Sequence, residues 1–268
     1  MFKSVVPISL KKHGKKRIKT LQNFDFAKEA NMASIMVHEF SRAASIYPIV
    51  FMEDKRNNQF RPVVLLGLEQ GENLFIQKDR WQASYVPAII RRYPFALAKT
   101  GEEGRFTICI DEQSELLNDE EGQPLFEDNG EPAELMNRVK RYLSDLQKMD
   151  LFTDAFCKYL AEKNLFAPLN MKIRIGKEMR NIKGAYVVNE ERINALSDEV
   201  FIEMRTRKYI PVVYSHLSSL SQIERLINFK DKKSISVKEL GDQFSEPPAE
   251  ETAVVGKTAS KPAKHAKK

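Results

Sequence analysis

YPIVFM (47–52), RPVVLLGL (61–68), NLFIQ (73–77), SYVPAII (84–90) and FTICID (106–111) are the runs whose reading decides the fold. Each is a short apolar or alternating segment rich in Val, Ile, Phe and Tyr, bounded by Gly, Pro, Asn or charges, and each therefore predicts a β-strand. The gaps between them leave no room for crossover helices, so antiparallel pairing is expected. Gly67 and Gly71 punctuate the connection between the second and third runs.

Working outward, residues 111–134 hold ten Asp/Glu and no Lys/Arg, broken by Gly122, Pro124, Gly130 and Pro132. This stretch predicts a solvated acidic loop with a small hairpin around QPLF. A helix should follow Pro132, a residue suited to a first helical turn. Leu135, Val139, Tyr142, Leu143 and Leu146 recur at helical spacing, and Phe152, Phe156, Tyr159 and Leu160 continue the stripe. A second strand group is expected at MKIRI (171–175), GAYVV (184–188) and YIPVVYS (209–215), with two short helices before the last run and Ser197 as an N-cap. A final amphipathic helix is predicted from His216 to Ile227, with Leu217, Leu220, Ile223 and Ile227 on one face. The fold class is α+β: an antiparallel sheet in the first half, with helices and a second strand group packed against it.

Hydrophobic residues make up 42% of the 268, with 16 Phe, enough for a sizeable core. Residues 1–20 carry seven Lys/Arg and no acid, and residues 252–268 carry five Lys and no acid, so residues 21–251 carry −6 against a net of +6. The basicity lies at the ends rather than on the body, which argues against a nucleic-acid-binding domain. Three parts are expected: a basic, unstructured N-terminal arm (1–20), an α+β domain (21–233) and a disordered lysine-rich tail (234–268) that buries too little apolar surface to order. No run of about 18 apolar residues predicts a membrane-spanning helix. The apolar run Val5–Leu10 contains Pro7 and lacks a small-residue cleavage site, so it is not expected to act as a signal peptide. Cys109 and Cys157 read as free, buried thiols of a reducing compartment, and a cytoplasmic location is expected.

YPIVF (47–51), PVVLLGL (62–68), NLF (73–75), Trp81 with YVPAIIRRYPF (85–95), CIDEQSELL (109–117), GQPLF (122–126) and YSHLSSL (214–220) together resemble the SapC family over about residues 2–228. That bacterial family is named for a gene linked to surface-layer protein export. The resemblance implies a soluble accessory protein and brings no catalytic set with it. The lysine-rich tail departs from the usual pattern.

The residues themselves concentrate candidate chemistry at 81–95 and 109–112. Adjacent arginines in or beside a strand point to opposite faces, so at most one of Arg91 and Arg92 is expected on the buried face. A guanidinium there needs a carboxylate or phosphate. Asp111 or Glu112 could neutralise it internally, closing the end of the sheet. Alternatively, Arg91 or Arg92 holds an anionic ligand against a wall of Trp81, Tyr85 and Tyr93. General acid or base work by Asp111 or Glu112 is a further alternative. His38 opens HEFSR, where a zinc-protease motif requires a second His at position 42, and Arg42 stands there. His216 reads as a capping or packing histidine, with a catalytic base as the alternative. His13, His38, His216 and His265 assemble no clear metal set, and no metal or cofactor is expected. Gly256-Lys257-Thr258 fails as a phosphate loop because Glu251 occupies the earlier glycine position.

These observations point to an accessory binding protein for a protein, peptide or small anionic ligand. Its expected site is the rim of Trp81, Tyr85, Arg91, Arg92, Tyr93, Asp111, Glu112 and His216. The alternative is a small-molecule-modifying enzyme using the Arg91/Arg92–Asp111 rim, with His38 or His216 as proton shuttle. Nucleic acid or membrane contact is expected only through the basic ends.

Overall fold

A computed structural model of the chain describes residues 1–55, 57, 59–99, 106–175 and 178–231. The first half contains β1 (Val5–Pro7), α1 (Leu10–His13), β2 (Arg17–Ile18), β3 (Met32–Ser34), α2 (Phe40–Ala43), β4 (Ile49–Asp54) and β5 (Gln59–Leu65). There follow β6 (Ile76–Gln77), β7 (Arg80–Trp81), α3 (Ala88–Arg91), β8 (Phe95–Lys99), β9 (Phe106–Asp111), β10 (Leu117–Asn118) and β11 (Gln123–Pro124). The second half opens with the 29-residue α4 (Glu134–Glu162) and continues through β12 (Phe166–Pro168), β13 (Met171–Ile175), β14 (Glu178–Ile182) and β15 (Ala185–Val188). It closes with α5 (Glu190–Asn194), α6 (Asp198–Thr206), α7 (Tyr209–Ser219) and α8 (Ile223–Asp231).

The α+β class holds, and the paired runs of β4 and β5 lie at its centre. Ile49 faces Val64 and Val50 faces Val63, placing β-branched side chains opposite one another in an antiparallel ladder. These strands belong to a five-stranded sheet of order β12-β15-β4-β5-β3. Of the second strand group, GAYVV joins this sheet as β15, with Tyr186 opposite Phe51 of β4, whereas MKIRI (β13) pairs with β14 in a separate two-stranded sheet. A second sheet, β1-β9-β8, and a small one, β10-β2-β11, stand beside it. The long helix α4 joins two apolar clusters. Val139, Leu143 and Leu146 pack with Phe95 and Ile110, whereas Phe156, Cys157 and Leu160 pack with the main sheet.

The basic segment 1–20, expected as an unstructured arm, supplies β1, α1 and β2. Val6 pairs with Ile110, and Ile18 pairs with Leu117 and Gln123. The acidic loop is its electrostatic complement: Lys16 meets Asp119 at 2.9 Å and Lys19 meets Glu121 at 3.0 Å. Such exposed pairs contribute little each, so strand pairing carries most of the attachment. The expected tail, 234–268, lies outside the described residues.

Two expected strands are helices. In SYVPAII, Pro87 accepts hydrogen bonds from the N–H groups of Ile90 and Arg91, and α3 begins after it. In YIPVVYS, Pro211 stands in the first turn of α7, where a missing N–H breaks no intrahelical bond. Tyr209, Val213 and His216 are buried at helical spacing, so tertiary burial overrides the β-branched pair Val212–Val213. His216 thus sits near the end of α7 instead of opening a helix. A 3-10 turn (Leu220–Gln222) and α8 follow where one continuous helix was expected.

Fully buried His216 ties α7 to two strands. Its Nδ1–H donates to the Ile49 carbonyl at 2.9 Å, and its Nε2 accepts from the Val188 N–H at 3.0 Å. A backbone N–H can only donate, so this pair of partners selects the neutral Nδ1–H tautomer. Burial lowers the histidine from its ordinary 6.5 to about 4, against the opposing effect of the bond to Ile49. The unfolded chain therefore binds the extra proton first as pH falls, and stability declines between pH 6.5 and 4 by about 3 kcal/mol. We predict that His216→Gln costs ~2 kcal/mol at pH 7.5. In urea unfolding, its deficit relative to wild type should shrink as pH falls towards 4.5; a deficit independent of pH would refute this role.

Candidate functional site

Glu39, 5% exposed, is the residue around which the local structure is arranged. Its Oε2 accepts from the Met36 N–H at 2.9 Å, and its Oε1 accepts from the Tyr85 hydroxyl at 2.6 Å and the Ala88 N–H at 2.8 Å. Three donors satisfy a carboxylate that would otherwise be costly to bury. Thr153 of α4 holds the same segment by accepting from the Val37 N–H at 3.0 Å. Burial, reinforced by the bond to Glu39, raises the Tyr85 hydroxyl above its ordinary value. The start of α3 is consequently fixed, and with it the two arginines at its end.

Arg91 donates from Nε to the Val86 carbonyl at 2.9 Å, and its guanidinium lies 5.5 Å from the Tyr85 ring centroid and 5.9 Å from that of Tyr142. Arg92 is half-buried, with its guanidinium 5.6 Å from the Phe2 ring. Its buried Nε has no hydrogen-bond partner, and among the described residues it forms no ion pair. Burial holds its pKa below the usual arginine value, the mark of a cation short of compensation. Both arginines border a cleft of about 220 Å³ between α3 and α4, together with Arg138, Tyr142, Tyr93 and Phe95. Arg138 donates to the Gln123 side-chain carbonyl and lies 3.5 Å from Glu134. No acidic residue lines this cleft, nor does a histidine.

The expected rim separates into distinct places. Arg91, Arg92 and Tyr93 share the cleft, and Tyr85 supports it from below. Trp81 is a packing residue: its Nε1–H donates to the Tyr47 hydroxyl at 2.7 Å, and Tyr47 donates to the Tyr85 carbonyl. Asp111, fully buried, does not neutralise an arginine. Its carboxylate accepts from the N–H groups of Lys3 (2.9 Å), Ser4 (2.8 Å) and Gln113 (3.2 Å), fastening the start of the chain to β9. Glu112 lies 3.3 Å from Nε2 of buried His13 and 3.8 Å from Lys12. His216 is committed to the sheet, and His38 packs edge-on against Phe152, so neither is placed as a proton shuttle for the arginines. Cys109 and Cys157 are free and buried, and burial pushes the Cys157 thiol up to about 12. Among the described residues no three His, Cys, Asp or Glu side chains gather as a metal site. No helix among them is long and apolar enough to cross a membrane.

The SapC family model matches residues 8–226. The chain belongs to the SapC family. No curated protein and no solved structure matches it. For this SapC-family chain the match spans α3, α4 and the cleft between them, but begins after Phe2–Ser4.

Glu39, Arg138 and Tyr142 were not among the residues expected from sequence. Arg138 and Tyr142 are four apart on the predicted helix, so their shared face was available from spacing. Glu39 carried no such signal, because its partners Tyr85 and Ala88 lie 46 and 49 residues away. We predict that Asp111→Ala destabilises the protein by about 2–4 kcal/mol, the scale of losing charge-assisted hydrogen bonds at a buried carboxylate. Amide exchange at Lys3 and Ser4 should accelerate at least tenfold more than at Ile49; uniform acceleration would show that the contact is not a local fastening.

Proposed function

We propose that this SapC-family protein is a cytoplasmic accessory binding protein that receives a carboxylate or phosphate group of its partner in the Arg91–Arg92–Arg138 cleft. The observation that carries this reading is the half-buried Arg92 guanidinium, whose Nε has no acceptor, in a cleft lined by three arginines and no acid. A bound oxyanion would bring the compensating charge and accept hydrogen bonds from the terminal guanidinium nitrogens. The surroundings favour binding over chemistry: the cleft walls contribute phenols and apolar side chains but no histidine or carboxylate to move a proton. The family's link by name to surface-layer proteins suggests that binding serves the export, uptake or modification of a surface protein or peptide. Two free, buried cysteines suit the reducing cytoplasm. We assign the lysine-rich segment 234–268 a solubilising role.

The test is an NMR titration of the arginine Nε–Hε resonances with inorganic phosphate and with acetate at low ionic strength. The Arg92 resonance should shift saturably, and Arg92→Gln should weaken anion binding at least tenfold with a melting temperature close to wild type. Arg92 resonances unmoved by either anion would overturn the reading. Deleting 234–268 should leave this binding unchanged; if the deletion instead abolishes a salt-sensitive association with anionic liposomes, the tail is a tether.

A further inference from the structure

Tyr93 stands in the wall of the arginine cleft and also in the wall of a second, larger cavity of about 710 Å³. Its ring is held in place by stacking on Phe26, with centroids 4.0 Å apart and planes 9° apart, and by Phe2 at 5.5 Å. One fixed aromatic side chain therefore divides a small cationic cleft from a roomy neighbour whose volume lies within the range of ligand-binding sites.

The lining of the larger cavity has a particular chemistry. Its side-chain amides include Gln22 and Gln113, neither of which makes a side-chain hydrogen bond among the described residues. Two of its lysines are already paired: Lys28 with Asp25 and Asp79, both at 2.6 Å, and Lys19 with Glu121 at 3.0 Å. Lys3, Glu29 and Glu115 also line it and form no ion pair among the described residues. Free charges of both signs beside free amides do not suit an acyl chain, which needs an apolar wall. A peptide matches every part. Its backbone N–H and C=O groups complement the amides of Gln22 and Gln113, since each amide both donates and accepts. Its charged side chains complement Lys3, Glu29 and Glu115.

We propose that the two cavities form one composite site for a peptide, whose carboxylate enters the arginine cleft while the adjoining residues occupy the larger cavity across Tyr93. This rests on the anion-binding reading of the cleft and adds to it the chemical class of the partner.

The probes are the peptide Ac-Ala-Lys-Ala-Glu and acetate, each titrated into the full-length protein by NMR, with Gln22→Ala/Gln113→Ala as the variant. Both substituted residues are exposed and outside the arginine cleft, so the variant should fold. The peptide should bind at least tenfold more tightly than acetate. In the double variant this advantage should fall below threefold, while acetate affinity and the Arg92 shift stay as in wild type. Peptide binding no tighter than acetate, with acetate still shifting Arg92, would overturn the composite site and leave the anion cleft standing. Loss of peptide and acetate binding in equal measure in the variant would also overturn it. Absence of binding by both probes to wild type would overturn the cleft itself.

Discussion

A buried carboxylate with three donors is the constraint on which the candidate site depends. Glu39 accepts from the Met36 and Ala88 N–H groups and from the Tyr85 hydroxyl, and so pins together the turn before α2 and the start of α3. The β6–β7 hairpin and the segment before β4 reach the same place by a second route, through Trp81, the Tyr47 hydroxyl and the Tyr85 carbonyl. Tyr85 is therefore held at both its backbone and its phenol. With α3 fixed in this way, Arg91 and Arg92 leave its last turn with little freedom, and Arg92 ends half-buried against Phe2. Preorganisation of that kind lowers the ordering cost of binding an anion.

Charge is distributed so that Arg91 and Arg92 are the exception. The basic first twenty residues face the acidic loop, where Lys16 and Lys19 are matched by Asp119 and Glu121. Arg61 is likewise matched, by Asp150 at 2.9 Å and Asp154 at 2.8 Å. Asp111, the carboxylate that could have answered Arg92, is occupied by the amides of Lys3 and Ser4. The carboxylate expected from sequence to neutralise an arginine thus anchors the N-terminus instead.

The sheet was legible because its runs are bounded by turn residues and its apolar positions face one another, as in the pairing of Val50 with Val63. The stripe on α4 was equally plain over 29 residues. Legibility failed at short apolar runs containing proline. SYVPAII and YIPVVYS satisfy a strand template, yet Pro87 initiates α3 and Pro211 sits harmlessly in the first turn of α7. Runs of seven residues fit either period, and burial of Val213 and His216 against the sheet settles the matter. Of the expected site, Arg91, Arg92 and Tyr93 come together, while Trp81, Glu112 and His216 serve packing or side-chain pairing elsewhere and Asp111, beside Tyr93, anchors the N-terminus.

The amino-acid sequence by itself determined the α+β class, the antiparallel central strands, the long helix, the acidic body between basic ends and the family. All of these follow from local periodicity, composition and motifs that are continuous along the chain. Only the tertiary structure decided which charges are already spent. Asp111 and the arginines are near neighbours in sequence, but the competing partners are the amides of residues 3 and 4, more than a hundred positions away. A carboxylate takes the donors that folding places within hydrogen-bond reach, and for Asp111 these are backbone amides and not a guanidinium.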